Sequence, residues 1–571
     1  MTVEPDHLIP LALGADLLAI EDVVSVARDA RWVEPLPDDP LPGTELAVRA
    51  ARVTASADWV RRTLDEIEAA DADGRDPLVI YGVNTGYGDN ADRAIFRKRA
   101  DAARLSRNLV LSHAVGAGDA LPPDAARAAM LIRVNTLAQG YSGVRLCIIN
   151  TLAGMLNRGV LPVMPQQGSL GASGDLAPLA HLALVLSAPA PGEADHPGAS
   201  GQAWFGGVLL SGAEAMAAAG LERVVLSAKE GVALVNGTAV SAGIAALTYH
   251  DAAILLDTAQ IALALSVEAL KGFRDAFLPH THAIRGHAGQ QQVAARVREL
   301  VEGSTLVRGG AGVDLDPSAG PPQDPYSLRA APTVLGAVAD TLRHVEGVLT
   351  TEINAVTDNP LIFVDADGPL HLDRLNKAVS GGNFHGAPVG YAMDFLKIAV
   401  ADLASISERR SELLLDGRLN RGLPPFLIDE PRGSEGLNNG LMMPQYTAAA
   451  LVSENKVLSH PASVDSIPSS ANREDHVSMS TIAARHAAQV VANAQMVVAI
   501  ELLCAFQAVE LRLRLEPGAR LGAGTAAAMD ALRAVEIAPG VPLRMITRDE
   551  ALKPALDALL GVVRSGVLVE A

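Results

Sequence analysis

Beyond about residue 240, apolar residues return every three or four positions over stretches longer than most globular helices. Leu335, Val338, Leu342, Val345, Leu349 and Ile353 form one such row, and Leu396, Val400, Leu403 and Ile406 form another. That period places each row on one face of a helix. One long helix cannot hide its own apolar stripe, so several of them predict a bundle. Irregular segments at 304–330, 358–386, 416–444 and 460–476 separate the rows. Strands do not alternate with helices, which argues against a doubly wound sheet. The expected fold is therefore mainly α, with a long central helix bundle and a loop-rich N-terminal part. Its expected divisions are an N-terminal extension (1–42), the loop-rich part (43–240), the bundle (241–515) and a C-terminal helical region (516–571).

The most apolar long run is read at Val477–Leu511. Arg485, His486, Gln489, Asn493 and Glu501 interrupt it, which predicts a bundled helix and not a membrane span. The formal net charge of -19 has no long acidic run behind it. Nucleic acids and anionic membranes attract basic patches, so neither is an expected partner. The two cysteines, Cys147 and Cys504, sit in apolar helical contexts and are expected to be buried free thiols. No zinc-type spacing is present, so no metal is expected. The start lacks signal-peptide features, and a reducing, cytosolic compartment is expected.

Glycines cluster between about 78 and 240, where tight turns can build a site. The richest stretch is Gly168-Ser-Leu-Gly-Ala-Ser-Gly-Asp-Leu-Ala-Pro-Leu-Ala-His181. Asp175 is expected to cap a helix starting at Leu176, with Pro178 harmless in its first turn. Ala172-Ser173-Gly174 would then precede a helix N-terminus, a place of positive potential. A bare Ala-Ser-Gly is an ordinary loop. His181, on that helix, is expected to be a packed, hydrogen-bonded histidine.

The longer string resembles the signature of the aromatic amino acid ammonia-lyase and aminomutase family. Further stretches resemble it in the same order: Tyr81-Gly-Val-Asn-Thr-Gly-Tyr-Gly88, Leu234-Val-Asn236-Gly-Thr238, Gln323-Asp-Pro-Tyr326-Ser-Leu-Arg329 and Ser380-Gly-Gly-Asn-Phe384-His. Together they span roughly 78 to 480. The resemblance implies an aspartase/fumarase-like helical architecture and a homotetramer whose sites combine residues from three chains. It implies one cofactor and no external one: a 4-methylidene-imidazol-5-one (MIO) ring, closed when the Gly174 nitrogen attacks the Ala172 carbonyl and two waters leave. It further implies Tyr81 as the base for the substrate β-proton and Arg329 as a clamp for the carboxylate. Asn236, Tyr326 and Gln323 would complete the site, and Phe384 would pack by the cofactor. Either the amine or the ring of the substrate could meet the electrophile.

The substrate is narrowed by finer matches. The stretch Asn108-Leu-Val-Leu-Ser112-His113-Ala-Val-Gly-Ala-Gly118, read as one helix, carries a Ser112-His113 pair that resembles the histidine-specific members. A tyrosine aminomutase can carry the same pair. Glu474, before Asp475, also resembles those members, where the phenylalanine and tyrosine enzymes tend to have Gln. A carboxylate suits an imidazole N–H and would be left desolvated beside a phenyl ring. Met442 matches a pocket methionine of the same members. The expected reaction is deamination of L-histidine to urocanate and ammonia. Tyrosine or phenylalanine lyase activity, a 2,3-aminomutase and a catalytically silent helical oligomer are the alternatives. The 304–322 and 370–377 segments look enlarged beside such enzymes, as does the N-terminus.

Overall fold

The computed structural model describes residues 9–570, apart from 14–16, 39–40, 42, 93–95, 191, 195, 197, 310–322, 365–376, 431–432 and 434–435. Most of the 304–322 segment, and all of 370–377 except Lys377, lie outside these described residues. The protein is mainly helical. Ten helices carry the discussion: α1 (Glu45–Ala72), α2 (Arg99–His113), α3 (Pro123–Ala138), α4 (Leu176–Leu186), α5 (Glu230–Val235), α6 (Ala239–Ala269), α7 (Ala331–Glu352), α8 (Ala387–Leu415), α9 (Met442–Leu458) and α10 (Ser480–Leu515). Described strands are at most four residues long and pair into sheets of two or three, such as Leu161–Pro162 with Gln202–Phe205 and Val208–Ser211.

The long apolar rows lie where the periodicity put them. Leu335, Val338, Leu342, Val345 and Leu349 are all buried on α7, as is Ile353 just past its end, and Leu396, Val400, Leu403 and Ile406 are buried on α8. Three sequence expectations need correction. The 477–511 run does form a helix and is no membrane-span candidate, but the most apolar long helix is α6, which among the described residues is the one long and apolar enough to cross a membrane, and most of its apolar stretch is buried inside the protein. Its small and branched residues serve a core helix packed on all sides. Cys147 is exposed, while Cys504 is buried. On the helix Leu146–Asn157, Ile148, Ile149 and Leu152 take the inward face, and a residue one step before Ile148 points elsewhere. Finally, α2 stops at His113 instead of running to Gly118; Ala117–Ala120 is a strand, as the paired glycines there favour.

The chain divides into two compact units, each discontinuous in sequence. The first comprises 1–247, 347–393 and 461–485; the second comprises 248–346, 394–460 and 486–571. In the first, α1 contributes Trp59, Val60, Leu64 and Ile67 to a cluster with Ile80, Val83, Ala102, Ala228 and Ile362. Ile80 and Val83 flank Tyr81, so that tyrosine stands on a loop rooted in the core. In the second, a fully buried Arg410–Glu501 pair joins α8 to α10. Ser266 of α6 and Ser407 of α8 donate to the same carboxylate. A charge held this way is satisfied on all sides, which is the condition for burying it.

Candidate active site

Ala172-Ser173-Gly174 forms a tight turn between Gly171 and Gly174, whose strands bridge antiparallel. Ser173 is held at φ +54° and Gly174 at φ +79°. The turn is pressed against Asn236-Gly237: Gly237 donates its N–H to the Ser173 carbonyl (3.0 Å), and Asp175 donates its own to the Gly237 carbonyl (2.7 Å). A Cβ on Gly174 would stand 2.2 Å from the Gly237 oxygen, so only glycine fits. Ala172 packs beneath, against Val477 and Met479, and leaves Ser173 half-buried.

Asp175 occupies the position before α4, but its side chain does not cap that helix. One carboxylate oxygen instead accepts the Val240 and Ser241 N–H groups (3.0 and 2.8 Å) and the Ser241 hydroxyl. The other accepts from Thr481 and Ser169. The carboxylate therefore caps α6, taking the Val240 and Ser241 N–H groups that lie too near the helix start to reach a carbonyl of their own helix. Burial pushes the Asp175 carboxyl up from its ordinary range, and the Ser241, Thr481 and Val240 donors pull it back. Pro178 sits in the first turn of α4 as expected. His181 accepts the Gly116 N–H at Nε2 (3.2 Å), so that nitrogen carries no proton. Its burial lowers its basicity.

A cavity of about 640 Å³ opens over Ser173, within the usual range for a small-molecule site. Tyr81, Ser112, His113, Asn236 and Glu474 line it together with Ser173. The Ser173 hydroxyl donates to Glu474 Oε1 (3.3 Å), and Ser469 holds the other oxygen of that carboxylate (2.8 Å). Ser112 at the end of α2 contacts His113 Nδ1 (3.0 Å). The Tyr81 hydroxyl accepts the Gly88 N–H (3.4 Å), and its ring meets that of Tyr87 edge-on. Burial raises the Tyr81 pKa above its ordinary value, the Gly88 bond lowers it, and the Glu474 charge raises it again. Burial lowers that of His113, while a main-chain bond and the same Glu474 charge oppose the fall. Among the described residues, none that lines it is a lysine or arginine.

Behind the cavity wall, Asn236 is 2% exposed. Its side-chain nitrogen donates to Asp358 Oδ1 (3.0 Å) and to the Asn359 carbonyl (3.3 Å). Lys229 donates to Asp358 Oδ2 (2.7 Å), both side chains being fully buried. Arg133 donates to the Asn236 main-chain carbonyl, and burial pushes its pKa down to about 10.

The other sequence candidates are not in this cavity. Gln323, Tyr326 and Arg329 line one of about 910 Å³ in the second unit, with Lys271, Arg308, Arg418 and Arg421. Arg329 donates to the Asp324 carbonyl (2.9 Å) and lies over the Tyr326 ring (4.5 Å). The Asp324 carboxylate accepts from Arg421 (2.7 Å) and from the Phe273 N–H (2.6 Å), which pins the segment. Tyr326 is 71% exposed. Met442, opening α9, lines a third cavity with Phe426, Gln445 and Tyr446. Phe384 is half-buried on its loop and does not line the Ser173 cavity. Sequence reasoning missed Asn359 and Ser470, which do line it. It also missed Lys229 and Asp358, which neighbour no motif residue in a recognisable pattern.

The family pattern of the aromatic amino acid lyases matches residues 44–534. The chain belongs to the aromatic amino acid lyase family. It is 45% identical to a histidine ammonia-lyase of Caldanaerobacter subterraneus subsp. tengcongensis, over 98% of this chain and 97% of that one. Among solved structures, a histidine ammonia-lyase from Trypanosoma cruzi is 34% identical with a TM-score of 0.80, covering 98% of this chain and 94% of that one. A tyrosine aminomutase from Streptomyces globisporus is 33% identical with a TM-score of 0.81, covering 98% of both chains. The expected mainly helical lyase fold is thus that of this family's solved members.

Proposed function

We propose that this member of the family is a carbon–nitrogen lyase that deaminates L-histidine to trans-urocanate and ammonia. The observation that carries the reading is Glu474, a carboxylate 3.3 Å from the Ser173 hydroxyl in a cavity that also holds Tyr81 and His113. An imidazole offers an N–H to such a group, whereas a phenyl ring offers no donor and would leave the carboxylate desolvated. The full-length likeness to a histidine ammonia-lyase supports the same substrate.

Ala172, Ser173 and Gly174 suit an MIO ring, because Ser173 and Gly174 already adopt a compact left-handed turn and Gly174 has no side chain to obstruct closure. That ring would supply an electron-poor alkene able to draw electron density from the substrate, so that ammonia can leave. Glu474 would orient the imidazole and stabilise its cationic form. Tyr81 would take the β-proton at its hydroxyl oxygen. The raised Tyr81 pKa means that a cation must come close before the phenolate forms near neutral pH. The substrate carboxylate needs a cation too, and among the described residues no lysine or arginine lines the Ser173 cavity. Arg329 suits both tasks as a planar donor of two hydrogen bonds, with Tyr326 and Gln323 beside it. We take these to reach the site from neighbouring copies in a homotetramer, with Phe384 and Met442 shaping its wall.

The test is incubation of the purified protein with L-histidine, L-phenylalanine and L-tyrosine separately. Growth of urocanate absorbance with histidine alone is expected, together with an intact mass two waters short of the sequence. Tyrosine turning over far faster than histidine would refute the role given to Glu474. A second reading, a 2,3-aminomutase, is favoured by the Ser112-His113 pair and the likeness to a tyrosine aminomutase. Its product would be a β-amino acid with no free ammonia.

A further inference from the structure

Asn236 can donate two hydrogen bonds from its side-chain nitrogen and accept at its oxygen. Both donors are spent away from the cavity, on Asp358 Oδ1 and the Asn359 carbonyl. Among the described residues nothing donates to its Oδ1, although the side chain lines the cavity. An amide is nearly symmetric in shape, so what surrounds it decides which end faces inward. Asp358 cannot donate while ionised. Its other oxygen accepts from the buried Lys229 at 2.7 Å, so both oxygens are engaged as acceptors. Lys229 also occupies the left-handed region at φ +70°, at the position just before α5, and α5 runs directly into Asn236. Backbone strain of this kind persists where the surroundings over-determine it. A buried ion pair is weak support for stability, since an apolar pair of similar volume commonly serves as well. The cost of burying these two charges calls for another role.

We propose that Lys229 and Asp358 are positioning residues that fix the Asn236 amide with its oxygen towards the cavity, as an acceptor for the ammonium or amine of the amino acid substrate. This rests on the reading of the Ser173 cavity as the deamination site. Neither residue touches substrate; each acts through Asn236. With the amide turned round, an N–H would face the amine and repel it.

The test uses two double replacements in the full-length enzyme. Lys229→Met with Asp358→Leu removes the charges while keeping the volume. Lys229→Gln with Asp358→Asn keeps a neutral donor–acceptor chain in the same place. The apolar pair is expected to keep the wild-type melting temperature and ring formation by intact mass, yet to lose roughly ten- to a hundredfold in kcat, the scale of a hydrogen bond to a charged group. The polar pair is expected to recover most of that loss. Adding Asn236→Ala to the apolar pair should cost nothing more, because the pair works through that side chain. Full activity in the apolar pair, or an additive loss with Asn236→Ala, overturns the proposal. Neutron crystal structures of both doubles, which distinguish amide nitrogen from oxygen, decide the matter even if the wild type shows no histidine turnover, a result that would sink the functional reading alone. The Asn236 amide should turn in the apolar pair and hold in the polar one; an unmoved amide in the apolar pair overturns the proposal. If the apolar pair fails to fold, an amide found turned in the polar pair overturns it equally.

Discussion

The cavity over Ser173 and the cavity over Arg329 have opposite characters. Among the described residues the first is lined by two phenols, one carboxylate, several amides and a histidine whose burial keeps it from protonating readily, with no lysine or arginine. Among the described residues the second is lined by Lys271, Arg308, Arg329, Arg418 and Arg421 against the one carboxylate of Asp324. An amino acid carries both a carboxylate and an amine, so either cavity alone satisfies half of it. Under the proposed function the difference teaches that substrate recognition is divided between two places. The first would hold the amine and the side chain, and the second would hold the acid.

The strongest way to break this comparison is Ser173→Ala. It should abolish the mass deficit of two waters and lower kcat by roughly a thousandfold or more, at least about 4 kcal/mol of transition-state stabilisation. Retained turnover in an uncyclised protein would end the assignment of chemistry to the first cavity. Tyr81→Phe should cost roughly a few hundredfold in kcat, as loss of a general base does, with ring formation by mass unchanged. Arg329→Ala should lower kcat/KM by roughly ten- to a hundredfold, mostly through KM, because a charge-assisted bond to the substrate is lost. Mixing Tyr81→Phe and Arg329→Ala subunits sharpens the contrast further. Partial recovery of activity after exchange of subunits is expected, and a mixture no better than its parents would count against copies sharing a site.

Glu474→Gln is the gentlest change. KM for histidine should rise by about tenfold, with little change for a phenyl substrate. Its pH profile carries a sign. In the proposed mechanism Tyr81 would act as a base once deprotonated, so activity should climb with pH along a limb set by the Tyr81 pKa. Burial and the Glu474 charge both push that pKa up. Removing the charge favours the phenolate and should move the limb to lower pH. A limb that moves to higher pH, or stays fixed, would show that the two groups do not communicate.

Periodic rows such as Leu335 to Leu349 could be read directly, because burial on α7 follows from spacing that the chain itself carries. The motif residues Tyr81, Ser173, Asn236 and Glu474 could be read too, and they do meet around one cavity. Asp175 shows where such reading stops. Its local context offered a cap for α4, and the structure offered the bare first turn of α6, 65 and 66 residues away in sequence. The stronger set of donors won. Cys147 failed for a related reason: an apolar neighbourhood in sequence says nothing of which way one helical residue points.

From the sequence alone came the helix bundle, the family, the cyclising tripeptide as an expectation and the choice of imidazole over phenyl. These rest on period, residue type and order, which are properties of the chain before it folds. Only the tertiary structure decided that Lys229 meets Asp358 across 129 residues, that Asn236 spends both its donors there, and that the arginines line a different cavity from Ser173. Hydrogen bonds and ion pairs of that kind depend on distances of about 3 Å, and such distances between remote segments exist only once the helices have packed.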